Sequence, residues 1–161
     1  MIKNTYINPD QASNQKIIKG LFNGIKPIKK NEDFHLSLMM FCFEINTKPY
    51  SSNVISEKEY NEYQIDMYYT LKAVESDLLS SYMKNSMIQL TVLLSEAKDL
   101  NEIGLLSLSE FTMMFMTVRS KFFQKFQTVK RAYFKHLNGL NKANANNLSK
   151  LRASFAILEE N

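Results

Sequence analysis

The chain is short of residues that interrupt helices. Its 161 residues include four glycines and three prolines, and all three prolines lie before position 50. A β-sandwich of this length needs many more turn residues, so after Pro49 the chain reads as helices joined by short turns. Cys42 is the single cysteine. That excludes an internal disulfide framework and suits a reducing compartment. No apolar run reaches the ~18 residues a bilayer span needs, and Met1 to Lys30 lacks the continuous apolar segment of a secretory signal. A soluble cytoplasmic protein is expected. There is no Cys-x-x-Cys, no His-x-x-x-His, and no glycine-rich loop followed by Lys-Ser or Lys-Thr, so neither a metal site nor a cofactor is expected.

Another absence concerns charge. From Phe111 to Leu158 there are nine Lys or Arg and no Asp or Glu, a net +9, whereas residues 57 to 110 carry a net −6. Pairing between an acidic and a basic helix accounts for part of this segregation. Exposed pairs contribute only ~0 to 1 kcal/mol each, and the basic segment has surplus charge for an anionic partner.

What is present reads as helix. Ser107-Leu108-Ser109-Glu110 is a capping box, and it launches a stripe of Phe111, Met114, Phe115, Val118, Phe122, Phe126, Val129 and Tyr133 that should end at Asn138-Gly139. Ser56-Glu57-Lys58-Glu59 is a second capping box. It opens a helical pattern running to about Lys98, whose stripe shifts from Tyr60, Met67, Leu71, Val74, Leu78 and Tyr82 to Met83, Met87, Leu90, Leu94 and Ala97. The shift coincides with Ser80-Ser81 and Asn85-Ser86 and marks either a kink or two halves with different neighbours. Phe34 to Ile45 fits strand alternation and helical stepping alike, and Asn31, Glu32 and Asp33 before it favour a buried helix. A first helix is expected from Asn8 to Asn23-Gly24, and a last one from about Asn146 to Glu159 on Leu148, Leu151, Phe155 and Leu158.

The expected fold is therefore all-α, a single domain in which about five helices surround a long antiparallel hairpin. Residues 1–55 supply N-terminal helices and loops, 56–139 the hairpin, and 140–161 a C-terminal helix.

Three constellations could carry function. Lys121, Lys125, Arg131 and Lys135 share the polar side of the basic helix with Ser120, Gln124 and Thr128, a stripe suited to binding phosphates or an acidic protein surface. The plain alternative is a solvated helix face. Met113, Met116 and Phe123 fall off the main apolar stripe and could form a partner or self-association surface. Third, Arg131-Ala132-Tyr133-Phe134-Lys135-His136 resembles the Arg-x4-6-His motif of the HEPN family of small helical ribonucleases. That resemblance implies metal-independent RNA cleavage at a dimer cleft, with His136 as the acid/base group and Arg131 holding the scissile phosphate. The leading expectation is a noncatalytic regulator, inhibitor or adaptor working through the basic helix. The HEPN-like ribonuclease and a dimeric structural component are the alternatives.

Overall fold

A computed structural model of the protein describes residues 26–29 and 31–160. Among the described residues the fold is all-helical, with four helices: α1 (Phe34–Ser51), α2 (Glu57–Glu75), α3 (Ser81–Glu102) and α4 (Leu108–Glu160). The helix expected at Asn8 to Gly24 lies outside the described residues.

The three connections are built alike. Residues 52–56, 76–80 and 103–107 read Ser-Asn-Val-Ile-Ser, Ser-Asp-Leu-Leu-Ser and Ile-Gly-Leu-Leu-Ser. In each, the second residue takes a left-handed conformation: Asn53 at φ 58, Asp77 at φ 55 and Gly104 at φ 81. The amide that follows donates back into the last helical turn, Val54 N to Pro49 O at 2.8 Å, Leu78 N to Ala73 O at 2.9 Å and Leu105 N to Leu100 O at 3.0 Å. This is the Schellman stop, which satisfies carbonyls that a helix end leaves free. Each connection closes on a serine whose hydroxyl accepts from the amide three residues on: Glu59 N, Met83 N and Glu110 N, all at 3.1 Å. α1 begins on Asp33, which accepts from His35 N and Leu36 N.

These stops correct the expected hairpin. The pattern from Glu57 to Lys98 is two helices, because Asp77 ends α2 and Ser80 starts α3. Leu78 and Tyr82 belong to neither buried face and are exposed. The directions differ as well. Glu59 meets Arg119, Asp66 meets Lys130 and Tyr69 meets Phe134, so α2 runs parallel to α4. α3 provides the antiparallel arm, with Leu79 and Met83 beside Val129 and His136 at one end and Asn101 Nδ2 donating to Leu106 O at the other. α1 runs antiparallel to α2, since His35 reaches Glu75 while Tyr50 stacks on Tyr60. The chain thus alternates down, up, down, up, as short connections dictate.

One apolar core joins all four helices. Leu38, Phe41, Cys42 and Ile45 of α1 meet Tyr63 and Met67 of α2, Met87 and Leu94 of α3, and the rings of α4. Phe41 and Phe122 lie 5.5 Å apart, and Tyr63 contacts Phe126 edge-on at 5.2 Å. The ambiguous stretch from Phe34 is helix and continues through Pro49, where a loop was expected. Met114 was assigned to the buried stripe and is exposed.

α4 itself overrides two further expectations. It continues through Asn138 and Gly139 and absorbs the separate C-terminal helix, giving 53 residues in one element. Every residue from 138 to 160 is exposed. By the helical rise, about 34 Å of helix projects past the bundle.

Candidate functional site

α4 sorts its cations by side. Facing α2, Arg119 is buried and donates Nε and Nη2 to Asn46 Oδ1 at 3.2 and 2.9 Å, and Nη2 also reaches Glu59 O at 3.4 Å. Its guanidinium stands 5.0 Å from the centre of the Tyr63 ring. Burial draws the Arg119 pKa below its ordinary value, and the charges of Tyr63 and Glu59 pull the other way. Asn46 completes the network by donating Nδ2 to Tyr60 O and Gln64 Oε1. One turn beyond Phe126, Lys130 pairs with the buried carboxylate of Asp66. These two cations serve the fold.

Lys121, Lys125, Arg131 and Lys135 lie on the other side. Lys121, Arg131 and Lys135 are exposed and Lys125 is half-buried. None of the four pairs with a carboxylate among the described residues. The stripe from Lys121 to Lys135 covers about 21 Å of helix. Between the charges, Thr128 donates to Gln124 O at 3.2 Å and Arg131 Nε to Gln127 O at 3.3 Å, so the intervening polar groups are occupied by their own helix. Lys142 extends the same side along the projecting segment. With no acid on α4 between Phe111 and Leu158, nothing on the helix itself neutralises this face.

The remaining sequence candidates scatter. His136 borders a cavity of about 220 Å³ lined by Ala73, Leu79, Met83, Val129 and Ala132. Arg131 is five residues back, hence about 140° around the helix axis from His136, and is not part of that lining. One chain therefore does not bring the pair together. Phe123 stacks on Tyr63 at 6.1 Å and Met116 packs against the core, which leaves Met113 exposed among those three. Cys42 lies buried beside Tyr63. Burial is the largest cause raising both groups, pushing the Cys42 thiol up and the Tyr63 hydroxyl well above its ordinary value. His35 contacts Glu75 at 3.3 Å. Among the described residues no group of three His, Cys, Asp or Glu could hold a metal ion, and no helix is long and apolar enough to cross a membrane.

The Arg119 network escaped sequence reasoning. Its signal was Asn46, a polar residue in register with Cys42, Ile45 and Pro49 on the inward face of α1. Such a residue needs a buried partner, although nothing local names it. No family model matches the chain, and neither a curated protein nor a solved structure is significantly similar to it.

Proposed function

We propose that this is a noncatalytic helical interaction protein that uses the basic side of α4 against an anionic partner, an acidic protein surface or a nucleic acid. The division of labour on α4 carries the reading. Cations facing α2 are matched to buried acceptors, while Lys121, Arg131 and Lys135 are exposed and Lys125 half-buried on the other side, none of them paired with a carboxylate among the described residues. A row of uncompensated charge along one helix attracts polyanions through counterion release and steering.

The test is binding of labelled RNA and of polyglutamate by the full chain over a range of salt. Retention of either should weaken steeply with ionic strength and disappear when the four cations are replaced together by Gln, while His136→Ala retains it. Retention unchanged by the fourfold replacement overturns the reading.

A second reading is the metal-independent ribonuclease, with Arg131 and His136 as its working pair. The position of His136 at the rim of a cavity favours it, because a titratable ring beside a recess can meet a ligand. It requires a second subunit to supply the partner residue. Cleavage of the labelled RNA in EDTA, abolished by either Arg131→Ala or His136→Ala, distinguishes it on the same gel.

A further inference from the structure

Where α2 and α4 meet at the surface, aromatic rings form a row that reaches solvent. Phe134 of α4 contacts Tyr69 of α2 edge-on, with ring centres 4.7 Å apart, and Tyr68 continues the row from Tyr69 at 5.3 Å. Phe134 is 38% exposed and Tyr68 54%, while Tyr69 between them is half-buried. Phe134 and Tyr69 close the seam between the two helices. Tyr68 lies beyond the seam, on the outward side of α2, where its ring adds little to the core.

Cations stand at both ends of the row. Arg131 precedes Phe134 by three residues, a spacing that makes the two side chains neighbours on α4, and Lys135 lies one turn beyond Arg131. Both are exposed, and neither pairs with a carboxylate among the described residues. At the other end Lys72 Nζ stands 5.5 Å from the centre of the Tyr68 ring and 3.5 Å from Glu75 Oε2. Lys130, one turn before Phe134, is matched to Asp66. The exposed acids Glu57, Glu59 and Glu62 precede Tyr69 by seven residues or more, which along α2 is at least about 10 Å. Rings and uncompensated charge are therefore adjacent.

That adjacency discriminates among anions. An acidic protein surface would use the cations and leave the rings idle. A duplex presents phosphates but keeps its base faces stacked on one another. A single strand offers both phosphates for the cations and free base faces for the rings, and stacking on aromatic side chains beside a basic track is how such strands are held without regard to sequence. Resting on the anionic-partner reading, we propose that the partner is a single-stranded nucleic acid, its phosphates following Arg131 and Lys135 along α4 and its bases stacking on Phe134 and Tyr68. Sequence spacing could not show this platform, because Tyr68 and Phe134 come from helices far apart in the chain.

The test compares fluorescein-labelled oligo(dT) of about 15 nucleotides with an abasic strand of the same length, by anisotropy with the full chain. The two strands carry the same phosphates, so a site that reads charge alone binds them equally. The native chain should prefer oligo(dT) by at least about 10-fold, which one or two base–ring stacks supply. Tyr68→Leu with Phe134→Leu should bring oligo(dT) down to the abasic level. Both positions are exposed and leucine keeps their apolar bulk, so circular dichroism should be unchanged. The chain has no tryptophan, so unlabelled oligo(dT) should quench its tyrosine emission and the abasic strand should not.

Equal binding of the two strands by the native chain overturns the proposal, and so does a preference for oligo(dT) that survives the ring substitutions. In either case, release of both strands when Lys121, Lys125, Arg131 and Lys135 become Gln shows that the anionic-partner reading still stands. Binding of polyglutamate with neither strand retained has the same meaning. Tighter retention on phosphatidylserine vesicles than on oligo(dT) also overturns the proposal. Failure of every polyanion to bind overturns both.

Discussion

Residues 108–136 and 137–160 of α4 are one helix with one continuing apolar stripe, and they have opposite fates. In the first half Phe111, Phe115, Phe122 and Phe126 are among the most deeply buried side chains of the molecule. In the second half Leu148, Leu151, Phe155 and Leu158 keep the same helical spacing and face solvent. Periodicity therefore states which side of a helix seeks cover. It does not say where the cover comes from, because α1, α2 and α3 all stop within the length of the first half.

The sharpest way to break this comparison is to truncate one ring in each half. Phe122→Ala, at 0% exposure, should cost about 3–5 kcal/mol through lost burial and a cavity. Phe155→Ala, at 55% exposure, should stay within about 0.5 kcal/mol by urea unfolding. Similar losses at both positions would mean that the arm is covered within the single chain.

The cations allow the same contrast with a smaller effect. Asn46→Ala removes the closest acceptor of the buried Arg119 guanidinium, leaving it the longer contacts to Glu59, and should cost about 2–4 kcal/mol. Arg131→Ala, on the solvent side, should change stability by no more than about 0.5 kcal/mol. The urea midpoint of each variant measures both.

A third effect is graded with pH, small just above pH 8.5 and growing beyond it, and belongs to the packed half alone. The folded chain holds the Cys42 and Tyr63 protons because burial raises both pKa values. The unfolded chain releases them near their ordinary values of about 8.5 and 10. Above about pH 8.5 the unfolded state therefore binds fewer protons, and stability falls as pH rises, by up to about 1.4 kcal/mol per unit for each group. Below that pH this contribution is fully present. Urea midpoints between pH 7.5 and 10.5 should show the decline, and Cys42→Ala should remove its first part.

Much of the local architecture was legible before any coordinates. Ser56 and Ser107 cap their helices as the capping boxes indicated, and the rings from Phe111 to Tyr133 face inward apart from the exposed Met114 between them. The missed boundary came from an unrecognised stop. Gly104 signals a left-handed residue because it has no Cβ, whereas Asn53 and Asp77 take the same conformation only because their short polar side chains tolerate it. In the sequence Asp77 looked like one more acid on a long helix. The opposite error occurred at Gly139, where a residue suited to ending a helix stands in the middle of one. A Cβ there would meet nothing within 4 Å, so no close approach demands glycine.

Helix content, most of the caps, the apolar stripes and the acid-free stretch of α4 follow from the chain alone, because each depends on residues within a few positions of one another. Tertiary structure decided the direction of α2 relative to α4, which cations meet Glu59 and Asp66, and which stripe is left bare. Those outcomes depend on where distant segments arrive, and no spacing within a single helix encodes that.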